Sequence, residues 1–202
     1  MFQTNAIFQD YITESSIIDW TNAGCNDSGP AYVSSNIPLV RLIMHATALS
    51  NLADGVVDAL LDDAFGLDRH QRTAYLLRKG MSAIGHLSLG ILDGDELVGS
   101  IQCWPIRVGD AALILVGPVA VASHRQNAGI GTRLMQLMLD AIQPDDAPMV
   151  MIGDPEYYGR FGFTAEGTSG WTLPGPWEPR RLLLRNPAML ALPEHGVLGP
   201  AD

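Results

Sequence analysis

Apolar residues recur at helical spacing between Ser50 and Phe65. Ala53, Val56, Val57, Leu60, Leu61 and Ala64 fall at i, i+3, i+4, i+7, i+8 and i+11, which predicts a helix with one buried stripe. Ser50 or Asn51 is expected to cap its start and Gly66 to stop it. A shorter helix is expected over 68–79, capped by Asp68 and closed by Gly80. Then the period drops to two. Leu87, Leu89 and Ile91 alternate, Asp93-Gly94 makes a turn, and Leu97, Gly99, Ile101 and Cys103 alternate again, the pattern of a hairpin. Pro105 is expected to end that strand or to lie at its edge, and Val108-Gly109-Asp110 to form a second turn. Ala111–Val121 (AALILVGPVAV) is almost wholly apolar, as a strand buried on both faces requires. Gly117-Pro118 interrupts it and predicts a bulge, because proline has no N–H for the ladder.

The next helix starts near Gly129 or Gly131, with Ile130, Leu134, Leu137, Met138 and Ala141 as its buried stripe and Pro144 as its stop. Residues 147–152 read as another buried strand, 155–160 as a short helical turn, 161–165 as the beginning of a strand, and 181–185 as the last strand. Residues 37–47 read as the first strand. The order is strand, helix, helix, three meander strands, helix, strand, helix, strand, strand: an α/β fold, one mixed sheet flanked by helices. Residues 1–36, irregular and rich in turn formers, form an N-terminal extension that lies over the domain or swaps onto a second copy in a homodimer. Residues 37–185 make the domain, and 186–202 a loose tail. No internal repeat is visible.

Composition narrows the function. With 202 residues and 47% hydrophobic positions the chain can bury a core without staples, which excludes wholesale disorder. The net charge of −10 speaks against nucleic acid and against an anionic membrane surface as partners. Two cysteines, Cys25 and Cys103, give neither a disulfide framework nor a thiolate metal site. The five histidines lack helical metal spacing, so no metal is expected. With no signal sequence and no apolar run of the ~18 residues that a span needs, the expected location is the cytoplasm. Met135, Met138, Met149 and Met151 read as core. Trp104, Trp171 and Trp177 read as packing anchors, with an acceptor-pocket wall as the competing reading.

The most informative stretch is VAVASHRQNAGIGT, Val119–Thr132. A buried strand runs into a loop with two glycines and then into an amphipathic helix. Free N–H groups at a helix start, with the helix dipole behind them, make an anion cradle; an ordinary strand–turn–helix has the same loop composition. A P-loop is excluded because no glycine here precedes a lysine, and a dinucleotide fingerprint is excluded because position 134 is Leu rather than Gly. The pattern that fits is Gln/Arg-x-x-Gly-x-Gly/Ala after an apolar strand, here Gln126-Asn127-Ala128-Gly129-Ile130-Gly131. A second motif follows one helix and one strand later: Gly-Asp-Pro-x-Tyr-Tyr-x-Arg-Phe-Gly-Phe, Gly153–Phe163, with Tyr158 five positions before Phe163.

Together these two motifs resemble the GNAT N-acetyltransferase superfamily over about residues 37–185, most sharply over 115–163. The resemblance implies a mostly antiparallel sheet whose fourth and fifth strands, here 111–121 and 147–152, splay apart to admit the pantetheine arm of acetyl-CoA. It implies backbone contacts from Val119, Ala120 and Val121 to that arm, and from Gln126, Asn127, Ala128, Gly129, Ile130 and Gly131 to the pyrophosphate, with a hydroxyl from Thr132. It implies acetyl transfer to an amine, expected to be a small molecule, by direct attack on the thioester. Tyr158 is the candidate acid for the leaving thiolate, since a phenol titrates near ~10; a packed tyrosine is the competing reading. The base is open: the stretch from Ala111 to Arg125 holds no acidic residue, and Asp154, Glu156, His86 and His124 each have a structural reading. Two alternatives stand beside the small-molecule enzyme. One is a catalytically inactive acyl-CoA-binding regulatory module. The other is an acetyltransferase for a protein N-terminus or lysine.

Overall fold

The computed structural model describes residues 44–201, so the N-terminal extension expected over 1–36 lies outside the described residues, as does most of the strand expected over 37–47. The elements are β1 (Met44–Ala48), α1 (Val56–Phe65), α2 (Thr73–Leu77), β2 (Leu89–Asp93), β3 (Glu96–Val108), β4 (Ala111–Val121), α3 (Ile130–Asp140), β5 (Met149–Ile152), α4 (Pro155–Tyr158), β6 (Trp171–Thr172), β7 (Leu182–Arg185) and β8 (Gly196–Pro200). The sheet runs β1-β2-β3-β4-β5-β7, with β8 on β3 and β6 on β8. Within the main path only β4 and β5 are parallel.

The hairpin turns fall where the alternation puts them. Gly94 and Gly109 take positive φ at the β2–β3 and β3–β4 turns. β4 is buried on both faces as its apolar run requires. Ile114 and Val116 pack with α3, while Leu113 and Leu115 pack with Trp171 and Leu182 on the other face. Helix α3 buries Ile130, Leu134, Met135 and Met138. It approaches β3 so closely that a Cβ at Gly99 would stand 2.5 Å from Ile130 Cγ2, so glycine there sets the helix against the sheet. All four methionines read as core are buried. Pro105 lies inside β3, at the gap where the β2 ladder has ended at Ile101 and the β8 ladder has yet to begin at Ile106. Its missing N–H interrupts no pairing with β4.

Four expectations are corrected. Helix α1 starts at Val56, not Ser50: residues 49–51 form a 3-10 turn, and Gly55 at φ 82 is the residue before the helix. The Val56 N–H closes a turn onto the Ala53 carbonyl, so Val56 sits at the helix entrance and is exposed. The second helix is broken. Residues 67–71 are 3-10, Arg72 is extended, and α2 keeps five residues, because Arg69 and Thr73 are tied to partners outside the segment. Residues 161–165 form no strand; Gly162 turns left-handed at φ 81 and only Thr164 bridges to Leu184. The segment beyond 185 is not loose throughout, since β8 pairs with Ile106–Val108 and with β6 and buries Leu198.

Candidate active site

The β4–β5 pairing is short. It holds at Ile114–Met149 and Leu115–Val150. Beyond it β4 stays paired to β3 as far as Val121, and β5 stays paired to β7 as far as Ile152. Each strand is therefore fixed on its outer edge and free on its inner edge, and the two diverge as a wedge. The bulge expected at Gly117-Pro118 lies at its mouth: Val116 to Val119 spans one residue more than Cys103 to Ile101 opposite. A cleft of about 640 Å³ opens there, walled by Leu115–Val119 of β4, by Met151 and Ile152 of β5 with Gly153 and Asp154 after it, and by Tyr157 and Tyr158.

The glycine loop stands at one end of this wedge. After a 3-10 turn at 123–125, Asn127 and Gly129 take left-handed φ of 64 and 76, and α3 begins with no side chain capping its N–H groups. Left-handed residues interleaved in a turn in front of open helix N–H groups make a concave anion site. Gln126, Asn127, Ala128, Gly129 and Thr132 are exposed, and Gly131 is half-buried. Ile130 and Ala120 turn their side chains into the core, so only their backbone groups can face a ligand. Val119 lines the cleft, while Val121 packs against the α3 cluster. The two basic side chains of the loop are engaged elsewhere. Arg125 pairs with the buried Asp93 in the β2–β3 turn, and His124 Nε2 lies 3.3 Å from Glu96. Asp63 of α1 accepts from the Ser123 N–H at 2.8 Å and from its hydroxyl at 3.0 Å. These bonds hold the Asp63 carboxyl below its usual range, the backbone N–H doing most. The loop is thus pinned by side chains from behind and presents backbone in front.

Helix α4 carries the second motif. Asp154 caps it by accepting from the Glu156 N–H, with Pro155 at the first turn. Tyr158 lies in the cleft wall. Burial first, and then the neighbouring Tyr157, push its phenol up to about 12. Its hydroxyl has no hydrogen-bond partner among the described residues, while its ring packs against the core cluster. Its ring lies against Gly153, where an added Cβ would come 2.6 Å from Cδ2 and Cε2; this is the physical reason for the glycine that opens the motif. Tyr157 also reaches the site. Its hydroxyl is 3.1 Å from Thr132 Oγ1 and joins α4 to the first turn of α3.

The candidates for a base separate. His86 pairs with Asp146 at 3.0 Å and does not line the cleft, and neither does His124. Glu156 is exposed and faces Arg180. Asp154 is the one carboxylate among the described residues lining the cleft. Its interaction with the Glu156 side chain first, and then the cap bond to the Glu156 N–H, hold it below the ordinary range, against a base role. Cys103 is buried in the core, where burial pushes its thiol up, so it is no nucleophile. Among the described residues no cluster of His, Cys, Asp and Glu could hold a metal, and no helix is long and apolar enough to cross a membrane.

Sequence reasoning missed the opposite wall. Arg69, Arg72 and Arg78 line it with Tyr75 and Pro176, and Arg181 faces them from beside Gly153 on the Tyr158 side. Thr73 Oγ1 donates to the Pro176 carbonyl at 2.5 Å and holds α2 to that segment. Arg69 binds Asp62 at 2.7 Å and Asp58 at 2.8 Å. Burial alone would lower its pKa, but these bonds and one to Tyr75 raise it above the usual arginine value. No sequence motif marks these arginines.

The model of the acetyltransferase (GNAT) domain matches residues 54–165, more than half of the chain. The chain belongs to this family. It is 32% identical over 113 residues to the uncharacterized N-acetyltransferase YhbS of Escherichia coli K12. The match covers 53% of this chain and 65% of YhbS, so the chain spans less than two thirds of that relative. The crystal structure of E. coli YhbS in complex with CoA superposes with a TM-score of 0.63, covering 87% of this chain and 94% of that one at 20% identity. At that identity the likeness establishes the GNAT fold, to which the parallel β4–β5 pair belongs.

Proposed function

We propose that this protein is an acetyl-CoA-dependent N-acetyltransferase acting on a small amine. The observation that carries the reading is the wedge between β4 and β5, with the capless glycine loop at one end and the unbonded Tyr158 hydroxyl in its wall. The free inner edge of β4 at Val119, Ala120 and Val121 offers backbone groups to an extended pantetheine. The backbone of Gln126 through Gly131 faces the pyrophosphate. Thr132 fits less directly, because its hydroxyl already meets Tyr157. A grip made of backbone suits an acidic chain, since it needs no lysine or arginine at the phosphates.

Acetyl-CoA supplies a thioester whose carbonyl carbon accepts the amine nitrogen as the carbon–sulfur bond breaks. The chain supplies proximity by aligning donor and acceptor in one wedge. Tyr158, whose phenol stays protonated across the neutral range, gives its proton to the sulfur as the carbon–sulfur bond breaks, and the proton shed by the acylated nitrogen returns through water to the phenolate. Asp154 is held too acidic to act as the base, so in this mechanism the amine loses its proton to water before attack. The test is calorimetric titration of the full chain with acetyl-CoA, CoA and ATP, followed by thiol release with amines. The expected result is micromolar binding of acetyl-CoA and CoA with ATP much weaker. Absence of acetyl-CoA binding up to millimolar concentration overturns the reading.

A further inference from the structure

The cleft wall opposite Tyr158 carries an imbalance of charge. Of the three arginines on that wall, and Arg181 facing them from beside Gly153, only Arg69 has a carboxylate within ion-pair distance among the described residues. Arg78 is 7% exposed, yet its guanidinium has no carboxylate within ion-pair distance among the described residues. It lies 3.8 Å over the Tyr75 ring and 4.6 Å from the Trp104 ring, with one bond of 3.4 Å to the Gln102 amide oxygen. A guanidinium has five N–H donors, so most of its capacity is unmet. Beside it the buried Trp104 Nε1–H has no acceptor. Arg181 and Arg72 complete the group. Their nitrogens bond only to carbonyls, Gly153 O at 3.4 Å and Phe65 O at 3.0 Å. The carboxylate that acts on Arg78, Asp58, is already paired with Arg69, and a buried charge so thinly compensated gains from a ligand that neutralises it.

We propose that this wall recognises an oxyanion on the acceptor: the substrate is an amine whose other end carries a carboxylate or a phosphate, held by Arg78 with Arg72 on this wall and met by Arg181 from across the cleft. The geometry suits the chemistry. The anion would lie against α2, the amine would point across the cleft toward Val119 and Tyr158, and planar guanidinium groups accept either oxyanion in bidentate fashion. Arg78 and its two companions are then positioning residues that set acceptor affinity and orientation without touching the thioester. The inference rests on the acetyl-transfer reading above and assigns the substrate class to the same site.

The test compares matched amines with the full-length, acetyl-CoA-saturated protein, at equal concentrations of neutral amine. One arm sets the common amino acids against their methyl esters; the other sets phosphoethanolamine against ethanolamine. Thiol release and the rise in thermal midpoint of the CoA-bound protein are both read. The expected result is that the anionic member is preferred in one arm, which also decides between carboxylate and phosphate. Arg78→Met should raise KM for that amine roughly ten- to a hundredfold, as loss of a charged hydrogen bond does, with acetyl-CoA affinity unchanged. Arg181→Gln, at a half-exposed position, should act in the same direction and serves if Arg78→Met does not fold. Neutral members reacting as well as anionic ones, no anionic amine either reacting or raising the midpoint at millimolar concentration, or undiminished preference in the variants would each overturn the proposal. Titration of acetyl-CoA on the same sample separates the failures. If acetyl-CoA binds, only the acceptor assignment falls; if it does not, the transferase reading falls too.

Discussion

Replacing Gly153 by alanine tests whether the ring of Tyr158 is held in place by the backbone it rests on. Gly153 joins β5 to α4 and does not occupy the left-handed region, so alanine meets no backbone strain there. The obstacle is the ring. A Cβ would stand 2.6 Å from Tyr158 Cδ2 and Cε2 and 3.6 Å from Met151 Cε. Carbon atoms settle at about 3.5–4.0 Å, so the ring must retreat by about 1 Å. Tyr157 opposes the retreat edge-on at 4.8 Å, and Phe161 lies 6.5 Å away. Such overpacking costs about 1–3 kcal/mol. In a Tyr158→Ala background the obstacle is gone, and the same substitution should stabilise by about 0.4–1 kcal/mol through the unfolded state. The expected coupling energy is the difference, about 1.4–4 kcal/mol, read from urea unfolding of the two singles, the double and the parent. A hydroxyl displaced by about 1 Å should lower kcat by up to a hundredfold, with acetyl-CoA affinity unchanged. Equal costs of Gly153→Ala in both backgrounds, or an unaltered kcat, would refute the placement of Tyr158 as a held proton donor.

Tyr158→Phe should lower kcat by about a hundredfold or more and leave the affinity for acetyl-CoA intact. Because burial and Tyr157 raise the phenol to about 12, the wild-type rate should climb as the amine deprotonates and show no alkaline fall below about pH 10. The same shift makes the neutral phenol part of the folded state. Its contribution to stability is complete below pH 10 and is lost as pH rises toward about 12, a loss that Tyr158→Phe should abolish in denaturation curves taken across that range. Gly129→Glu should abolish acetyl-CoA binding in calorimetry. The added Cβ meets open space, so the protein should still fold at a cost of about 1–2 kcal/mol for the left-handed backbone. Asp63→Ala should weaken acetyl-CoA binding by releasing Ser123 at the start of the loop. In the parent the Asp63 contribution to stability, present above about pH 4, should fade as pH falls through its lowered pKa.

Local periodicity made most of the elements readable, because the contacts that stabilise them repeat along the chain. Helix α3, the β2–β3 hairpin and the doubly buried β4 each carry their pattern in consecutive residues. The glycine loop was legible for a related reason: left-handed backbone and an open helix start demand particular residue types at fixed offsets. The errors fall where a distant partner decides. The second helix breaks at Arg72 because Arg69 turns back to Asp58 and Asp62 and Thr73 turns to Pro176. Strand β8 forms because β3 has an open edge at Ile106–Val108, and nothing within 186–202 announces that edge. Gly153 was visible as a motif letter, but its cause, the Tyr158 ring five residues on, appears only once α4 folds back over β5.

The proposed acceptor wall shows why net charge is a weak guide to a site. A total of −10 describes the field far from the molecule, where it disfavours polyanions. Inside a cleft the nearby groups decide, because Coulomb energy falls with distance and solvent screens exposed carboxylates more than about 10 Å away. Here two carboxylates of α1 pair with Arg69, whose guanidinium also donates to the Tyr75 hydroxyl, leaving Arg78 and Arg72 on that wall, and Arg181 across from them, with no carboxylate within ion-pair distance among the described residues. The two proposed anion sites also differ in kind. At the glycine loop the donors are backbone N–H groups, which suit a pyrophosphate at one fixed place. At α2 they are guanidinium groups on long stems, which can follow an acceptor that must arrive and leave in every turnover. Lysine at position 78 would keep the charge but lose both the planar fork and the stacking between Tyr75 and Trp104. Arg78→Lys should therefore resemble Arg78→Met in KM more than it resembles the parent.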